Sequence, residues 1–254
     1  MALLDSIGDS YSIRARVAPS ALVFLPLGFA LASWWPGEAK LPGVLAGMGA
    51  TLALGTLFSQ IGRDLGKAKQ RQLFEKWGGV PTTMLLSHGT STLNPHTLAR
   101  CHEVLRLIRP DIRIPASRKE EEGWGAVVTE RVYETCTDSL REISRDKVKY
   151  PLVFEENVNF GFRRNLWAMK PAAIIIAAVS MTACLARVWL RASDGLPIEP
   201  MTVALAVVCT MLLVIWCVRI TRQWVRTVAL SYAERLIGVC ETLNPPKPES
   251  KLIA

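Results

Sequence analysis

The sequence predicts a mainly α-helical, polytopic membrane protein, with four transmembrane helices in two hairpins flanking a small helical cytosolic domain. Three observations lead there. The apolar residues are gathered into four blocks of about 18–20 residues, the length that crosses a bilayer core as a helix. Between the second and third blocks lies a polar stretch of about 100 residues, the size of one small domain. Basic residues crowd one end of every block: Arg14, Arg16, Arg63, Lys67, Lys69, Arg71, Arg163, Arg164, Lys170, Arg219, Arg222 and Arg226, against Lys40, Arg187 and Arg191 at the other. The positive-inside rule then puts both termini and the polar domain in the cytoplasm.

Composition agrees with this division. Half of the 254 residues are hydrophobic, and the mean hydropathy is +0.24. A net charge of +8 raises nucleic acid as a partner, but the cations sit beside the apolar blocks. Anionic lipid and topology account for them, and no nucleic acid is expected.

Residues 1–62 form the first section, a polar tail with Asp5 and Asp9 followed by a hairpin. Its spans run over about 17–35 and 43–61. Acidic residues ahead of the basic pair, and no small-residue cleavage site, argue that the first span is retained. Pro26 predicts a kink, and Trp34 and Trp35 close the span at an interface. Pro36–Pro42 is read as a short turn. In the second span Gly43, Gly47, Thr51, Gly55 and Ser59 recur at every fourth residue and so share one helical face. Such a stripe lets two backbones approach, either within the monomer or between subunits.

Residues 63–165 are the cytosolic domain. The second helix should continue to Trp77 and stop at Gly78, Gly79 and Pro81. Asn94-Pro95 reads as an N-cap with proline at the first helical position, opening a helix with Leu98, Cys101, Leu105 and Ile108 on one face. A loop follows Pro110, and Glu120, Glu121 and Glu122 suit the start of another helix. Trp124, Val128, Val132, Cys136, Leu140 and Ile143 are its expected buried stripe. A new helix is expected near Glu155.

Residues 166–218 carry the second hairpin, with spans at about 171–189 and 201–218. Residues 219–254 continue as one long helix with a stripe of Trp224, Val228, Tyr232, Leu236 and Val239, and the tail after Asn244 is read as loose. Between the domain and the third span lies a membrane-coupling hinge: Phe154, Glu155, Glu156, Asn157, Phe160, Gly161, Phe162, Arg163, Arg164 and Asn165. Aromatic rings and cations together suit the headgroup level.

Catalytic chemistry finds little support. His96 and His102 stand six residues apart on one helix and cannot face one ion, so no metal or other cofactor is expected. Cys101 and His102 are neighbours on a helix and point apart, which disfavours a nucleophile–base pair. Ser87–Thr92 is a hydroxyl-rich loop without the lysine or spacing of a P-loop. Glu155 and Glu156 suit a helix start. The six cysteines show no paired spacing and read as reduced, buried thiols. Ionisable residues are missing from the span centres, which disfavours ion-coupled transport but not a passive pore.

The phrases Trp77-Gly-Gly-Val-Pro-Thr-Thr83, Ala99-Arg-Cys-His102 and Glu156-Asn-Val-Asn-Phe-Gly-Phe-Arg-Arg-Asn165 resemble those of a family of bacterial four-span inner-membrane proteins. The resemblance spans about residues 77–171. It implies a bacterial inner-membrane setting and carries over no catalytic residue. The expected function is that of a non-enzymatic, homo-oligomeric effector or pore-like module, gated when its cytosolic domain takes up a protein or small molecule. The alternatives are a membrane-anchored scaffold and a membrane-bound enzyme acting on a lipid or nucleotide.

Overall fold

A computed structural model describes residues 10–35 and 41–243. The N-terminal Asp5 and Asp9, residues 36–40 of the first turn and the tail from 244 lie outside the described residues. Among the described residues all regular structure is helical: α1 (Ser10–Ser33), α2 (Leu41–Trp77), α3 (Pro81–Leu86), α4 (Pro95–Ile108), α5 (Arg118–Trp124), α6 (Ala126–Ile143), α7 (Pro151–Ser193), α8 (Pro200–Val218) and α9 (Arg222–Thr242). α1, α2, α7 and α8 are long and apolar enough to cross a membrane.

The chain divides into two compact units, Met1–Arg71 with Val158–Val225 and Gln72–Asn157 with Arg226–Ala254. The divisions fall inside helices, because α2, α7 and α9 each continue past the change in composition.

In the first unit, α1 and α2 meet through the small-residue stripe. A Cβ on Gly47 would lie 2.3 Å from the Gly28 carbonyl oxygen, and one on Gly55 2.8 Å from Ala21. Gly43 abuts Trp35, the Thr51 hydroxyl donates to the Phe24 carbonyl at 3.5 Å, and Ser59 is buried. The stripe therefore faces α1 of the same chain, while Leu45, Met48 and Leu52 on other faces of α2 are exposed. α8 rests on α7 and α1 through two clusters, one with Val23, Ala173, Ala177 and Trp216, the other with Ala30, Cys184, Leu205 and Cys209. Lys170 of α7 donates to the Cys217 and Ile220 carbonyls at 3.0 and 2.9 Å. It thereby satisfies one orphan acceptor in the last turn of α8 and one just beyond the helix.

The second unit buries Leu85, Leu86, Val104, Leu105, Cys136, Leu140, Leu236 and Ile237 in one core. Its helix ends follow from local chemistry. α2 stops where Gly78 and Gly79 take positive φ of 88° and 143°, which side chains resist. Asn94 caps α4 by accepting from the His96 N–H at 2.9 Å, and Pro95 fills the first position, where no donor is needed. Of the six cysteines only Cys217 is exposed.

Three expectations need correction. Residues 120–143 are not one helix, because Gly125 at φ +80° separates α5 from α6. Within α6, Val132, Cys136, Leu140 and Ile143 pack in the core as expected, but Val128 is exposed and Thr129, Tyr133 and Thr137 widen the buried face. The last span and the C-terminal helix are likewise separate, α8 ending at Val218 and α9 starting at Arg222. Finally, α7 begins at Pro151 rather than near Glu155, since proline at the first helical position costs no hydrogen bond, and it runs unbroken through Pro171.

Candidate functional site

A cleft of about 420 Å³ lies in the second unit, within the range of small-molecule sites. Gly78 and Gly79 after α2, Ser87 after α3, Arg118 and Glu121 on α5, and Glu130 and Tyr133 on α6 are among its lining residues. α5 starts where Ser117 accepts from the Glu120 N–H at 3.3 Å, and this cap sets Glu121 towards the loop after α3. There the Glu121 carboxylate accepts from the Ser87 hydroxyl and, at 2.7 Å, from the backbone N–H of His88.

Behind these groups stands a column of rings. His88 and His102 meet edge to face with centroids 4.7 Å apart, and His102 stacks on Tyr133 at 5.8 Å. His102 Nε2 lies 2.8 Å from the Leu86 carbonyl, and His88 Nε2 lies 3.2 Å from that of Pro115. A carbonyl only accepts, so both Nε2 atoms carry protons, which leaves Nδ1 as the acceptor of a neutral ring. Burial, helped by the charges of His88 and Arg106, lowers the pKa of His102 to about 4 against the partial opposition of the Leu86 hydrogen bond. The ring is neutral at physiological pH.

Tyr133 is 1% exposed, and its hydroxyl has no hydrogen-bond partner of good geometry among the described residues. Burial, with the charge of nearby Glu121, pushes its pKa up. A buried hydroxyl whose neighbouring acceptor, the Glu121 carboxylate, is poorly placed for a hydrogen bond is a liability for stability. Tyr133→Phe should therefore leave the melting temperature of the full chain unchanged or raise it by the equivalent of up to about 1 kcal/mol. A clear loss of stability would mean that the hydroxyl is paired in solution.

The structure also places the other sequence candidates. Cys101 is fully buried, donating to the Ile237 carbonyl at 3.8 Å, while His102 turns towards Leu86 and Tyr133. His96 takes no part in the ring column. Among the described residues no group of three or more His, Cys, Asp or Glu converges as a metal site would require. The hydroxyls of Ser87, Thr90 and Ser91 donate to Glu121 and to the Met84 and Leu85 carbonyls. Glu121 of α5 thus takes up loop donors that a phosphate would need. The charged lining residues are Arg118, which pairs with Glu122 at 2.9 Å, and the carboxylates Glu121 and Glu130. That balance suits a ligand that donates hydrogen bonds or carries positive charge.

The hinge residues fall on the uninterrupted helix α7. Phe154, Glu155, Glu156, Asn157 and Phe162 are half-buried, and Phe160, Gly161, Arg164 and Asn165 are buried. Within the first unit, Arg163 donates to the Trp224 carbonyl at 3.0 Å and stacks on its ring at 4.6 Å. Asn165 donates to the Ala15 carbonyl at 2.7 Å, inside the π-helical stretch Ile13–Val17 of α1. Sequence reasoning missed Tyr133 and the approach of His88 to His102. Comparison with protein-family models, with curated proteins and with solved structures finds no match to this chain. The functional reading rests on the site's own chemistry.

Proposed function

We propose that this chain is an integral protein of the bacterial inner membrane whose apolar helices pair as two hairpins. In this reading the termini and the cleft-bearing unit face the cytoplasm, and the protein works as an oligomeric, signal-responsive effector rather than an enzyme. Four helices of membrane-spanning length and the one-sided distribution of Lys and Arg support the topology. The observation that carries the functional reading is the cleft beside Glu121 and Tyr133, in a unit to which α2 and α7 also contribute. Both helices run without a break into the apolar unit. A small cationic or donor-rich molecule in the cleft would then bias the apolar helices through hydrogen-bonded backbone.

Membrane potential, read by dye fluorescence in bacteria induced to make the protein, tests this. Wild type and Glu121→Gln at matched levels should differ in the extent of depolarisation. An unchanged potential in both sinks the effector reading, and capture of a cytosolic partner by a membrane anchor takes its place.

A further inference from the structure

Where α1, α2 and α7 meet, three arginines from distant parts of the chain converge. Arg164 is 9% exposed. Its Nη1 donates to Gln70 Oε1 at 2.6 Å, and its Nε and Nη2 donate to Asn165 Oδ1 at 3.2 and 3.1 Å. Asn165 donates to the Ala15 carbonyl, next to Arg16, and Gly66, one helical turn beyond Arg63, abuts Arg164 and Asn165, so both half-buried arginines stand on turns beside it. Their other contacts are neutral: Arg16 lies over the Tyr11 ring at 5.5 Å, and Arg63 donates to Gln60 at 3.4 Å. Among the described residues none of the three forms an ion pair with a carboxylate. The backbone makes room for this arrangement, since a Cβ on Gly66 would lie 2.1 Å from Asn165 Oδ1 and 3.2 Å from Arg164 Nε.

Three guanidiniums repel one another, and a buried one needs a partner anion. Guanidinium also retains unused donors here, because Arg164 spends three of its five N–H groups on neutral acceptors. Position narrows the choice of anion. Arg16 precedes the first apolar run, Arg63 follows the second and Arg164 precedes the third, so all three stand at a boundary between apolar and polar sequence. In a bilayer that is the level of the lipid phosphates, and basic pockets between membrane helices hold such headgroups. Arginine's planar fork matches phosphate oxygens two at a time.

We propose that Arg164, as floor, and Arg16 and Arg63, as rim, bind the phosphate of an anionic phospholipid. The inference rests on the membrane reading above. Retention of the chain in the membrane pellet after alkaline extraction tests that reading separately: release would remove the membrane setting itself.

The site is tested with full-length protein in neutral detergent, following its melting temperature during titration with phosphatidylglycerol, phosphatidylcholine or inorganic phosphate. Phosphatidylglycerol should stabilise at a midpoint concentration at least about tenfold below that of phosphatidylcholine, with inorganic phosphate weaker still. Arg16→Gln/Arg63→Gln should erase most of that selectivity, whereas Arg219→Gln/Arg222→Gln, at exposed cations elsewhere, should keep it. Arg63→Gln alone, which gives up one hydrogen bond to Gln60, reads the same effect if the double variant does not fold. Equal responses to the two lipids overturn the proposal, as does equal loss in both double variants. A response to inorganic phosphate as strong as to phosphatidylglycerol assigns the site to a soluble anion and overturns the lipid.

Discussion

Acidification from pH 7 to pH 4 should lower the stability of this protein by about 3 kcal/mol through His102 alone. Its pKa falls from the usual 6.5 to about 4 because the ring is buried against Leu86, His88 and Tyr133. Between those values the unfolded chain holds a proton that the folded chain does not. Stability therefore declines as pH falls through that window and levels off below about pH 4. In thermal melts of the full chain the decline corresponds to roughly 6–12 °C. His102→Gln keeps an amide donor for the Leu86 carbonyl but does not titrate, so its melting temperature should lack this component of the slope. Identical slopes in the two proteins would mean that His102 is not the group being protonated.

Gly47→Leu should be damaging on a similar scale. A Cβ at residue 47 lies 2.3 Å from the Gly28 carbonyl oxygen and 3.2 Å from its Cα, so backbone rather than a flexible side chain must give way. Overpacking of this kind costs about 1–3 kcal/mol or more. Gly49 is on the same helix with nothing within 4 Å of its added Cβ. Gly49→Leu is the matched control for the added apolar bulk, and its melting temperature should stay close to that of the parent. Similar losses in both variants would assign the effect to helix propensity or solubility instead of the α1–α2 contact.

Local chemistry was readable from residues close in sequence. The glycines after Trp77 and the Asn94-Pro95 pair mark helix ends because positive φ and capping depend on a few adjacent residues. Tyr133 was hidden because a single stripe through Val128, Val132 and Cys136 is narrower than the buried face, which also takes in Thr129, Tyr133 and Thr137. The approach of His88 to His102 depends on how the loop after α3 folds back. The meeting of Arg16, Arg63 and Arg164 depends on three helices coming together. In the sequence each of those arginines reads only as one more cation flanking an apolar run.

The contact between Gly28 and Gly47 also bears on how the chain can evolve. Most neighbouring positions can trade volume, one side chain shrinking as the other grows. Here each residue is already the smallest available, and a side chain at 47 would strike the partner's backbone. No second substitution at Gly28 can make room for it. Each glycine is thus held independently, so relatives need show no correlated change between the two positions. Methods that infer proximity from paired substitutions would pass over one of the closest helix approaches in the molecule.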